Sequence, residues 1–185
     1  MSTTWMNAAD GYQKHADSLA ENSDSYGEAL IYYARAHHKR KMKNVLDLLI
    51  SYCLVHSMAY PAEAELDGKL KGLLSSPKET LKGLAESDPT AAQLLATHLS
   101  GYATLRKFYN LRDEGVNLQP GEKPKLREIA RMKEIAAALL AVIASSTDNI
   151  HGGLYDEDRG AVVGVDGLMA LLGEALVFVN RKWPP

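Results

Sequence analysis

The chain has 185 residues, 46% of them hydrophobic and 24% charged. That is enough for a packed core and too apolar for a disordered chain. Its net charge of −2 is unlike that of domains devoted to duplex nucleic acid, which are basic overall, so any such role has to rest on a local patch. With a single cysteine, Cys53, no intramolecular disulfide can form, as suits a reducing compartment.

Apolar spacing is helical nearly throughout. A first helix is predicted over Thr4 to Glu21, with Trp5, Ala8, Tyr12, Ala16 and Leu19 on one side, and "ENSDS" ends it. Ser25 stands three residues before Glu28, the spacing of a capping box that starts the second helix. From there to about Tyr60 there is no proline, and Gly27 is at the start. The pattern predicts either one continuous helix or two with a break near Lys43. Pro61 stops that segment or opens the next, "PAEAELDGKLKGLL". Ser76 before Pro77, and Asp88 before Pro89, are cap-and-proline starts for two further helices.

Gly115 closes the second of these, and "VNLQPGEKP" reads as the clearest linker. "KLREIARMKEIAAALLAVIASS" follows; its nearly all-apolar second half is expected at the centre of the core. A glycine- and acid-rich loop, "TDNIHGGLYDEDRGAVVG", leads to a last helix, "VDGLMALLGEALVFVNRKW". The expected fold is all-α: one bundle of six to seven helices over residues 1–185, opening on an antiparallel helical hairpin. A subdomain break, if there is one, is expected at 116–124.

The opening "MSTTWMNAADGYQ" has neither the basic nor the apolar region of a signal peptide. The best apolar run, Ile135 to Ala144, falls short of the roughly 18 residues of a membrane span. The expectation is a soluble protein inside the cell, in cytoplasm or nucleus. A stop at "NRKWPP" directly after an apolar helix is the pattern of a piece cut from something longer.

Two stretches carry candidate binding chemistry. "ARAHHKRKMK", residues 34–43, is the densest charge in the chain. On a helix, Arg35, Lys39 and Lys43 form one flanking row and Arg40 lies at the back. These four are the candidate contacts for an anionic ligand, RNA or an anionic lipid surface; the alternative is a solvated helix face. "GYATLRKFYNLRD" interleaves Tyr102, Phe108 and Tyr109 with Arg106 and Arg112. Mixed aromatic and arginine surfaces concentrate binding energy, so these five are the candidate partner-binding residues. The alternative is that the aromatics are core and the cations their wet neighbours.

Catalytic and metal signals are weak. No histidine pair has the i, i+4 spacing of a helical zinc site. Cys53 and His56 sit three apart on a helix, but the apolar surroundings of Cys53 favour packing over reactivity. No catalytic residue, metal or cofactor is expected.

The segment "AADGYQKHADSLAENSDSYGEALIYYARAHHKRKM" resembles the opening helices of microtubule-interacting-and-transport domains and tetratricopeptide-like hairpins. Ala16 and then Tyr26, Ala29, Leu30, Tyr33 and Ala36 stand at the small and aromatic packing positions. "KHADSLAENSDSYGEALIYYARA" and "TLRKFYNLRDE" are also similar in pattern to the helical C-terminal homology domain of transcription-elongation scaffold proteins. Both resemblances imply a non-enzymatic role, the first in binding short helical peptides in grooves, the second in dimerisation. The leading expectation is therefore a protein-interaction or scaffolding domain that takes a partner's amphipathic helix, or a second copy of itself, in a groove. The alternatives are a basic-patch binder of RNA or anionic lipid, and a helical enzyme whose site is assembled from distant helices.

Overall fold

The computed structural model describes residues 3–21, 25–114 and 126–147, together with Leu154 and Gly173. The predicted linker at 116–124, most of the 147–164 loop and all of the expected last helix but Gly173 lie outside the described residues. The described residues are helical and contain no strand, so the fold is all-α. Among the described residues nine helices follow in order: α1 Thr3–Ala20, α2 Tyr26–Arg35, α3 Lys39–His56, α4 Gly68–Ser75, α5 Pro77–Thr80, α6 Lys82–Ser87, α7 Pro89–His98, α8 Ser100–Glu114 and α9 Leu126–Thr147. A 3₁₀ turn at Glu63–Glu65 precedes α4.

The count exceeds the six to seven expected because short breaks divide segments that read as continuous. The long second helix stops at Arg35, several residues before Lys43. There His37 takes a left-handed backbone at φ 52°. Its N–H donates to the Ala34 carbonyl, and the His38 N–H donates to the Tyr33 carbonyl, both at 2.9 Å. This is the Schellman ending, in which the orphan carbonyls of a last turn are satisfied by a residue that is usually glycine. Ser57, at φ 51°, ends α3 in the same way, with the Met58 N–H reaching the Cys53 carbonyl at 3.2 Å. Neither site carries the glycine that would have marked it in the sequence.

The chain divides into two compact units, Met1–Leu49 with Pro61–Ser100, and Ile50–Tyr60 with Gly101–Pro185. The dividing points fall within α3, between Tyr60 and Pro61, and at the start of α8.

In the first unit α1 packs on α2, and α2 packs in turn on α4 and α7. Ala16 of α1 and Tyr26, Ala29, Leu30 and Tyr33 of α2 are buried. Asp67 organises the α2–α4 approach. As the N-cap of α4 it accepts from the Leu70 N–H at 2.8 Å, and its other oxygen accepts from the Gly27 N–H of α2 at 3.0 Å. One carboxylate thus caps two helices, each leaving N–H groups unsatisfied in its first turn. A Cβ at Gly27 would overlap the backbone of Leu70 and the Asp67 carboxylate, so glycine is required for this approach. The expected Ser25 capping box is corrected here. Ser25 sits at ψ 22°, its hydroxyl makes no cap bond, and the distant Asp67 takes the Gly27 N–H instead. Ser76 also makes no side-chain cap, although Pro77 opens α5 as expected. Asp88 does cap α7, accepting from the Ala91 N–H at 3.0 Å, with Pro89 in the first turn.

In the second unit Ile50, Cys53 and Leu54 from α3, six residues of α8 and one face of α9 are buried. Ile135, Ala138, Leu139 and Val142 stand at i, i+3, i+4 and i+7 and form that face of α9. Leu140 and Ile143 are exposed, so the apolar run of α9 is core on one side and surface on the other. It does not sit wholly at the centre of the core, as its composition suggested.

Candidate interaction surfaces

The basic stretch 34–43 spans the end of α2, the His37 turn and the start of α3. Its charges are largely engaged within the first unit. Lys41 Nζ donates to both oxygens of Asp17 on α1, at 2.6 and 2.5 Å, and the Tyr33 hydroxyl donates to the same carboxylate at 2.6 Å. These bonds, first that from Lys41 and then that from Tyr33, hold the Asp17 carboxyl below its ordinary range. Burial, followed by the Asp17 bond, pushes the Tyr33 phenol upward. His37 Nε2 lies 2.7 Å from Asp88 Oδ2. The Asp88 carboxyl is lowered first by the Ala91 N–H, with His37 contributing. Arg35 lies over the Tyr32 ring at 5.7 Å, with His15 edge-on to that ring at 4.6 Å. Lys43 is buried. Of the four candidate contacts for an anionic ligand, Lys39 and Arg40 are exposed, Arg35 is half-buried and Lys43 is withdrawn from solvent. The flanking row of Arg35, Lys39 and Lys43 is not continuous because the break at 36–38 gives α3 its own helical phase.

The aromatic and arginine residues of α8 face inward. Tyr102, Phe108 and Tyr109 are fully buried, and Arg106 is nearly so. Burial places Tyr102, Arg106, Phe108 and Tyr109 in the interior of the second unit and not along an open groove. Their polar groups fasten the turn that follows α3. The Tyr102 hydroxyl donates to the Tyr60 carbonyl at 2.6 Å and accepts from Arg106 Nη1 at 3.2 Å. Arg112 donates to the Ser57 carbonyl, stacks over Tyr109 at 4.8 Å, and donates through Nε to Asp113 at 2.9 Å. Cys53 closes the turn from the other side, its Sγ accepting from the Tyr60 N–H at 3.3 Å and donating to the Tyr60 carbonyl at 3.6 Å. Burial pushes this thiol upward, away from the thiolate that reactivity requires. His56 stacks on Tyr52, rings 6.2 Å apart, rather than on Cys53.

The residues that sequence reasoning missed are the exposed apolar ones at the end of α3: Tyr52, Val55 and, in the turn, Met58. A signal was present. Met42, Val45, Leu46, Leu49 and Cys53 already fill one helical face, so Tyr52 and Val55 are apolar residues in excess of the packed arc. Among the described residues, no three His, Cys, Asp or Glu side chains gather as metal ligands. Nor is any helix there long and apolar enough to cross a membrane.

No family model matches the chain, and no solved structure matches it. Over 167 residues, 89% of its length, it is 50% identical to the nucleoporin NUP85 of Chaetomium thermophilum. The chain spans 14% of the length of that curated relative, and it is to this one stretch that it is similar.

Proposed function

We propose that the chain is a non-enzymatic structural segment of a nuclear-pore scaffold, which holds a fixed helical shape and presents surfaces to neighbouring proteins. The observation that carries this reading is the 50% identity to a nucleoporin over nearly the whole chain. The use made of polar side chains supports it. Asp17, Asp67 and Asp88 each tie two or more helical elements together, and Tyr102 and Arg112 fasten a turn. Polar side chains bonded across elements in this way favour one arrangement of the backbone, which is what a load-holding element requires. Partners in this reading are proteins, and the location is the pore of the nuclear envelope.

Fluorescent tagging of the protein in its own cells tests the proposal. A punctate rim around the nucleus, coincident with a pore marker, is expected. A diffuse signal, or one in another compartment, overturns it.

A further inference from the structure

The end of α3 and the turn after it hold Tyr52, Val55 and Met58 out to solvent, Val55 at 77% exposure and Met58 at 50%. The backbone beneath them is tightly held. Cys53 and Tyr102 bond Tyr60, and Arg112 bonds Ser57. A turn fixed beforehand avoids much of the ordering cost that weakens association. One guanidinium links this ridge to a charged edge, since Arg112 bonds both the Ser57 carbonyl and Asp113. In the ion pairs along that edge the cation is the sunken member. Arg112 is 18% exposed against 50% for Asp113, and Arg131 30% against 61% for Glu114 and 59% for Glu134. Water therefore meets mainly the three carboxylates.

We infer that this ridge is a docking surface for a basic amphipathic helix of a partner protein. The partner's apolar stripe lies on Tyr52, Val55 and Met58, and its lysines or arginines meet Asp113, Glu114 and Glu134. A helix fits better than an extended strand. Among the described residues there is no sheet edge to extend, whereas Tyr52 and Val55, spaced i, i+3 on α3, form a short ridge of the kind that packs into the groove of another helix, and Met58 in the following turn extends its apolar surface. The inference deepens the scaffold reading by naming a surface. It is tested in vitro, so its failure leaves the rim localisation standing, and the reverse also holds.

The test titrates the 185-residue chain with two synthetic helical peptides that share a leucine face at i, i+3, i+4 and i+7. One carries lysine at the remaining positions and the other glutamate. The lysine peptide is expected to bind saturably and the glutamate peptide at least about tenfold more weakly. Val55→Glu and Met58→Glu should each weaken the lysine peptide by about tenfold or more. A purely electrostatic contact would be strengthened by an added carboxylate, so this loss reports the apolar contact. The triple variant Asp113→Asn, Glu114→Gln, Glu134→Gln should lower affinity at low salt and flatten its salt dependence. Circular dichroism melts of each variant confirm the fold. Three results would overturn the inference: no saturable binding, equal affinity for the two peptides, or binding indifferent to Val55→Glu. Self-association of the chain that Val55→Glu abolishes would overturn it too, by making a second copy the occupant.

Discussion

The two ends of α3 use the same kinds of side chain in opposite ways. Around its start the chain concentrates charge, yet Lys43 is buried, Lys41 is bonded to Asp17, and His37 lies against Asp88. Towards its end the chain is apolar, yet Val55 and Met58 stand in water while the arginine and tyrosines of α8 are sunk beneath the neighbouring turn. A run of cations therefore does not measure charge available to a ligand, because acids on other helices claim part of it. Equally, an apolar run does not measure core, because a helix has more faces than its neighbours cover.

The largest effect that would sharpen this contrast is at Phe108. Its truncation to alanine should cost about 3–5 kcal/mol, read as a shift of the urea unfolding midpoint. A change below about 1 kcal/mol would return α8 to the status of a binding face. Asp67→Ala comes next. It removes caps from two helices at about 1 kcal/mol each, and should lower stability by roughly 2 kcal/mol, against about half that for a single-cap loss.

The acid response tests the charged end of the comparison. Asp17 and Asp88 have folded-state carboxyls held below the ordinary value of 3.8. The stability they contribute is present above that value and is lost as pH falls through their lowered folded values. Thermal melts between about pH 5 and pH 2 should show falling stability, with a shallower fall in Asp17→Asn. An equal slope in the variant would mean that the Lys41 and Tyr33 bonds carry no linkage.

The smallest expected effect is at Val55. Alanine there should change stability by no more than about 0.5 kcal/mol, although the residue is apolar and stands on a core-forming helix. A loss of 1–2 kcal/mol, about what truncating a buried valine costs, would place it in the core.

Much of the fold was legible because it depends on residues close together in the chain. Helical spacing marked the all-α class, and Asp88 before Pro89 marked the start of α7, since an N-cap acts across only three residues. Other features were not legible. The break at 36–38 uses a left-handed histidine where the recognisable signal is glycine. Asp67 looked like an ordinary residue of the "LDGKL" segment, and its second acceptor role depends on Gly27, forty positions away. Lys41 became an internal tie only when α1 brought Asp17 to it.

The candidate site followed the same division. Tyr102, Phe108 and Tyr109 share a helical face by their spacing alone. Whether that face meets solvent or core is set by what packs on it, and here the end of α3 and its turn do so. By itself the sequence determined the helical class, the proline-led helix starts and which residues lie side by side on each helix. The tertiary structure alone decided which of those faces were covered, because burial is a property of the neighbour and not of the residue.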